Sequence, residues 1–147
     1  EPSTVMFRRC HAERGFDPRY RHLVDLEMWF HLLEQGNFAY IGDPLSSFRV
    51  HPEQETVHNV KNLYDIDDAF LLINDYIDKF YVQMSRVTKS FLYYDQSYKL
   101  WKMYRNKKIG REDAIRRIEE HIDIAKFIFF LPFYKMYKPL FKLTNII

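Results

Sequence analysis

Cysteine is all but missing from this sequence. Cys10 stands alone, which excludes an internal disulfide and fits a reducing, cytoplasmic setting. His11 beside it does not make a thiolate–imidazole pair, since neighbours in an extended segment point to opposite faces. The thiol reads as buried or idle. Glycine is scarce too, at 4 in 147 residues, while 47% of the chain is hydrophobic and 18% aromatic. That composition excludes disordered and low-complexity classes and is enough for a packed core. No run reaches the ~20 apolar residues that span a bilayer, and nothing at the N-terminus has the pattern of a signal peptide. A Gly-rich phosphate loop, a Ser–His–Asp signature and any nucleic-acid-binding motif are also missing. His51, Glu53, Glu55 and His58 do not have the spacing of a zinc site.

What is present is unevenly distributed. The net charge is +2, but residues 1–98 hold 10 Lys and Arg against 15 Asp and Glu, whereas residues 99–147 hold 12 against 5. An acidic front and a basic, aromatic tail face different surroundings.

Residues 3–9 read as extended, and Gly15, Asp17 and Pro18 as a turn. Leu23, Leu26, Phe30 and Leu33 recur at helical spacing, with Gly36 where a C-terminal cap belongs. Phe38–Ile41 and Leu45–Val50 then read as short strands around an Asp43-Pro44 turn. Between Pro52 and Gly110 no Gly or Pro occurs. There Leu63, Ile66, Phe70, Ile73, Ile77, Phe80, Met84, Val87, Phe91, Tyr94, Tyr98 and Trp101 form one helical stripe. One straight helix of that length would extend about 60 Å, so a break is expected between Phe80 and Ser90, with Thr88 and Ser90 as caps. Antiparallel packing, or a second copy of the chain, would bury the stripe. A further helix is predicted from Gly110, with Glu112 and Asp113 in its first turn. Its buried face would be Ile115, Ile118, Ile122, Ala125 and Phe129, and Pro132 would end or kink it. The expected fold class is therefore α+β and predominantly helical: a strand–helix–strand–strand front over residues 1–58, then a bundle of three or more helices over residues 59–147.

Two groups of residues bear on chemistry. Asp25 lies in the first turn of the predicted helix, where the dipole favours acids. Trp29, four residues on, shares its face, while Glu27 points elsewhere. Periodicity alone reads Asp25 as a helix-start acid and Trp29 as core. On the second strand Ser47, Arg49 and His51 would share a face opposite Phe48 and Val50. An Arg and a His side by side suit a diphosphate, or a divalent metal bound to one. A solvated strand edge accounts for them equally. Asp65-Ile66-Asp67 spells Asp-x-Asp within a helical pattern, and Asp65, Asp67 and Asp68 read as the solvated face and N-terminal acids of a helix.

Residues 16–56 run Gly-Phe-Asp-Pro-Arg-Tyr, Val-Asp-Leu-Glu-Met-Trp, Glu-Gln-Gly-Asn-Phe-Ala-Tyr-Ile and Pro-Leu-Ser-Ser-Phe-Arg-Val-His, then Thr56. In this order they resemble the acceptor half of family 2 glycosyltransferases with the GT-A fold. The resemblance covers about two-fifths of the chain. It implies an inverting enzyme that moves a sugar from a nucleotide-sugar donor to a saccharide or lipid-linked acceptor. The chain opens at Glu1-Pro2-Ser3 without the donor-binding strands of such an enzyme, so a fragment inactive by itself is expected. The resemblance implies Asp25 as the catalytic base, Trp29 and Arg49 as substrate-binding residues, and His51 at a divalent metal, Mg or Mn, in the full-length enzyme. The family's acid before the base is replaced here by Val24, which keeps Glu27 open as the alternative base; the spacing to Trp29 favours Asp25.

The tail, residues 124–147, interleaves Phe127, Phe129, Phe130, Phe133, Tyr134 and Tyr137 with Lys126, Lys135, Lys138 and Lys142. Aromatics with lysines suit the headgroup boundary of an anionic membrane on the cytoplasmic face, with the lysines snorkelling. A last helix folding back over the bundle suits them equally. A helical interaction or membrane-docking module without catalysis is the alternative to the enzyme.

Overall fold

Helices account for all regular structure in the computed structural model, which describes residues 4–47 and 53–144. A 3-10 turn at Arg9–Ala12 precedes α1 (Val24–Leu33), α2 (Glu55–Lys61), α3 (Tyr64–Tyr76), α4 (Arg86–Arg105), α5 (Arg111–Glu119) and α6 (Ile124–Thr144). The chain divides into two compact units, residues 1–72 and 73–147, with the boundary inside α3.

The α+β expectation is overturned, because no strand occurs among the described residues. Phe38–Ile41 and residues 45–47 are irregular and exposed; Phe38, Tyr40 and Leu45 are 76%, 82% and 76% exposed. A strand satisfies its N–H and C=O groups only against a neighbour, and a lone short hairpin is marginal in water. No described segment pairs with residues 37–47, so their apolar, β-prone side chains stay in solvent. The extended reading of residues 3–9 also fails at its end, where Arg9 enters the 3-10 turn. Cys10 lies in that turn and is exposed, not buried. Gly15 does make a turn, at φ +73, a conformation that other residues adopt only with strain. Gly36 lies beyond the helix it was expected to cap, since α1 stops at Leu33 with Glu34 at its C-cap.

The long stretch without Gly or Pro breaks twice. Leu63 separates α2 from α3 at φ +66, a conformation costing a non-glycine residue about 1–2 kcal/mol. Its side chain is buried, which offsets that cost. The second break spans residues 77–85, where Ser85 caps α4 by accepting a hydrogen bond from the Thr88 N–H at 3.1 Å. Thr88 and Ser90, expected as caps, lie inside α4. Phe80, Met84 and Val87 fall on the stripe but are exposed, because the helix that would have buried them is interrupted there.

In the second unit α4, α5 and α6 pack on one another. Leu100, Ile118 and Phe127 are fully buried, and Ala114 nearly so. The rings of Tyr94 and Trp101 flank Phe127 at 5.7 and 6.3 Å. The predicted helix from Gly110 ends at Glu119, and α6 starts afresh at Ile124, leaving Phe129 exposed. Pro132 does not end α6, which continues through it and through Pro139. Each proline removes one N–H from the ladder, and the contacts of Phe127, Leu131 and Tyr134 hold the helix together around Pro132.

Asp95 joins α4 to α6, accepting from the Tyr134 hydroxyl at 2.5 Å and from Lys138 Nζ at 2.6 Å. Burial opposes its charge, but the bonds from Lys138 and Tyr134 outweigh it and hold the carboxyl below its ordinary 3.8. Burial, with Asp95 next, pushes the Tyr134 hydroxyl far above its usual range. A carboxyl lowered by folding contributes stability above its unfolded value, and this is lost as pH falls through the folded one. The stability gap between wild type and Asp95→Asn in urea unfolding should be full at pH 7 and shrink below about 3.8; a gap constant with pH would contradict the pairing. Ser97 is fully buried in α4 and its hydroxyl has no hydrogen-bond partner among the described residues. Ser97→Ala should therefore raise stability by about 1 kcal/mol in thermal unfolding, by removing an unsatisfied group and improving helix propensity.

Candidate functional site

The first unit is organised around the start of α1. The N–H groups of Arg21, His22 and Leu23 would end in solvent, but all three converge on one oxygen, Oδ2 of Asp68, at 2.8, 2.5 and 2.8 Å. Asp68 sits in α3 and is 3% exposed. It is thus a remote cap for α1, compensating the positive end of the helix dipole from another element. The expectation that Asp68 belongs to a solvated face is corrected. Of its neighbours, Asp65 and Asp67 do lie in the first turn of α3, but Oδ1 of Asp65 is buried with no hydrogen-bond partner among the described residues. Asn59 adds a bond from its Nδ2 to the Arg21 carbonyl at 3.2 Å, and the Arg21 guanidinium stacks on Tyr64 at 4.8 Å.

Asp25 and Glu27 both lie in the first turn of α1 but on different faces. Glu27 is 2% exposed and takes both Arg14 guanidinium nitrogens, at 3.0 and 2.7 Å. Below it on the same face, Gln35 Nε2 donates to the His11 carbonyl at 3.1 Å and lies 3.0 Å from Nε2 of His31. Glu27, and Gln35 just beyond the end of α1, therefore tie the helix to the preceding loop. Asp25 and Trp29 lie on another face; both are half-buried, and among the described residues Asp25 has neither a hydrogen bond nor an ion pair. Residues four apart on a helix bring their Cβ atoms to about 5–6 Å, so a group resting on the Trp29 ring would lie within reach of the Asp25 carboxylate.

Arg49 and His51 lie outside the described residues. No three His, Cys, Asp or Glu side chains gather among the described residues as a metal site would need. His51, which the resemblance places at Mg or Mn, is outside the residues to which this applies. Arg14 and Asp68, the two partners that build the site, were not singled out as such from sequence. They lie 13 residues before Glu27 and 47 after Arg21, and no local periodicity links positions so far apart.

A recess lies in the second unit. It is about 170 Å³, lined by Tyr98, Trp101, Lys102, Arg105 and Lys135. No helix among the described residues is long and apolar enough to cross a membrane. In comparisons with known proteins, no family model, curated protein or solved structure matches this chain.

Proposed function

We propose that this chain is the acceptor-side part of an inverting glycosyltransferase of the family 2 kind, moving a sugar from a nucleotide sugar to a saccharide or lipid-linked acceptor. The observation that carries the choice of base is the contrast on α1. Glu27 is locked to Arg14, whereas Asp25 is unpaired among the described residues and shares its face with Trp29. Trp29 would serve as the platform for the acceptor sugar. As the acceptor hydroxyl attacks the anomeric carbon, its proton passes to the Asp25 carboxylate. The bond from that carbon to the diphosphate breaks, and its electron pair leaves with the diphosphate. Attack opposite the departing group inverts the anomeric centre. Arg49 would hold the diphosphate by charge-assisted hydrogen bonds.

The test is a transfer assay on the complete enzyme encoded around this chain, with a panel of nucleotide sugars and saccharide acceptors. Release of nucleoside diphosphate that depends on acceptor supports the proposal; no release across the panel overturns it. A helical docking module without catalysis is the second reading, favoured by the exposed apolar side chains of α6.

A further inference from the structure

The outer face of α6 is apolar and has no cover within its own unit. Phe127, Leu131 and Tyr134 recur at helical spacing and pack inward, at 0%, 9% and 4% exposure. Phe129, Phe133 and Met136, on the opposite side of the helix, are 68%, 52% and 59% exposed. A helix apolar on both sides needs a second apolar surround. Charge narrows what that surround is. After Asp123 no acidic residue occurs through Ile147, while Lys126, Lys135, Lys138 and Lys142 do. A second copy meeting this face would bring further lysines, with no acid in its own α6 to offset them. The recess lined by Lys102, Arg105 and Lys135 adds three cations beside two aromatic rings. Lys135 belongs to both features: it lines the recess and follows the exposed edge of α6.

We infer that α6 docks this chain peripherally on an anionic phospholipid surface. Phe129, Phe133 and Met136 enter the acyl boundary, and Lys102, Arg105 and Lys135 take lipid phosphates in the recess. The helix lies in the interfacial plane, because its other face is already committed to α4 and α5. Cations near such a surface add to the partition roughly in proportion to their number, and salt screens them.

Co-sedimentation of the full chain with vesicles tests this without any activity measurement, so it stands or falls apart from the proposed reaction. Vesicles of phosphatidylcholine with phosphatidylglycerol should bind the chain at low salt about tenfold or more better than phosphatidylcholine alone, and high salt should reduce the difference. Phe129→Ser with Phe133→Ser should abolish binding. Lys102→Gln with Arg105→Gln and Lys135→Gln should weaken it at least tenfold. All five positions lie outside the packed face of α6 or at the surface, and circular dichroism of each variant checks that its helices persist. No binding to anionic vesicles, binding indifferent to lipid charge, or binding unchanged in the phenylalanine variant would each overturn the inference. So would a dimer in sedimentation equilibrium that dissociates in the phenylalanine variant while vesicles bind neither form, since that result assigns the face to a second copy.

Discussion

Asp25→Asn is expected to lower sugar transfer by the complete enzyme by about 10²- to 10⁴-fold, the usual worth of a positioned general base. The amide has the shape of the carboxylate and suits the start of a helix, but it cannot accept the proton of the acceptor hydroxyl. Donor affinity, measured by calorimetry with the nucleotide sugar, should stay at the wild-type level, since the role proposed for Asp25 is on the acceptor. Glu27→Gln is the contrasting variant. Its side chain is enclosed and paired to Arg14, so removing the charge weakens that pair. The expected effect is on unfolding more than on the proton transfer. Wild-type turnover in Asp25→Asn together with a dead, well-folded Glu27→Gln would reverse the two roles.

Asp68→Ala should destabilise the first unit by about 2–4 kcal/mol. Each hydrogen bond to a charged group contributes about 1.5–3 kcal/mol, and the substitution strips one acceptor from three N–H groups at once. Water reaches part of the Arg21 backbone afterwards, which keeps the loss below the full sum. A single domain has about 5–15 kcal/mol in total, so the variant gives up a large share of it. Asp68→Asn should fall between, because an amide oxygen still accepts but carries no charge. Urea unfolding reads both. A midpoint unchanged in Asp68→Ala would mean that the start of α1 is held by something other than this carboxylate. Arg21 to Leu23 lead directly into Asp25, so the same loss should loosen the proposed base.

Much of the helical part of this chain is written locally. Gly110 followed by Glu112 and Asp113 marks the start of α5, because caps and first-turn acids act within a few residues of the helix end. Ile66 and Phe70, four apart, mark the buried face of α3, and both side chains are buried. Other expectations failed where the deciding partner lay far off in sequence. Phe38–Ile41 has the composition of a strand, but a strand exists only with a neighbour, and none of the described residues provides one. Pro132 is a helix breaker by local rule, yet α6 runs through it because its inner face is packed on both sides of the proline.

By itself the sequence determined the lone thiol, the acidic front and basic tail, the apolar spacing of the helices, and the placing of Asp25 and Trp29 on one helix face, since each depends on identity and short-range periodicity. Only the tertiary structure decided that Glu27 is held by Arg14, that Asp68 caps α1, and that α6 keeps a second apolar face uncovered. These turn on contacts between residues distant along the chain, and a hydrogen bond or a buried surface is created by proximity in space, which periodicity does not encode.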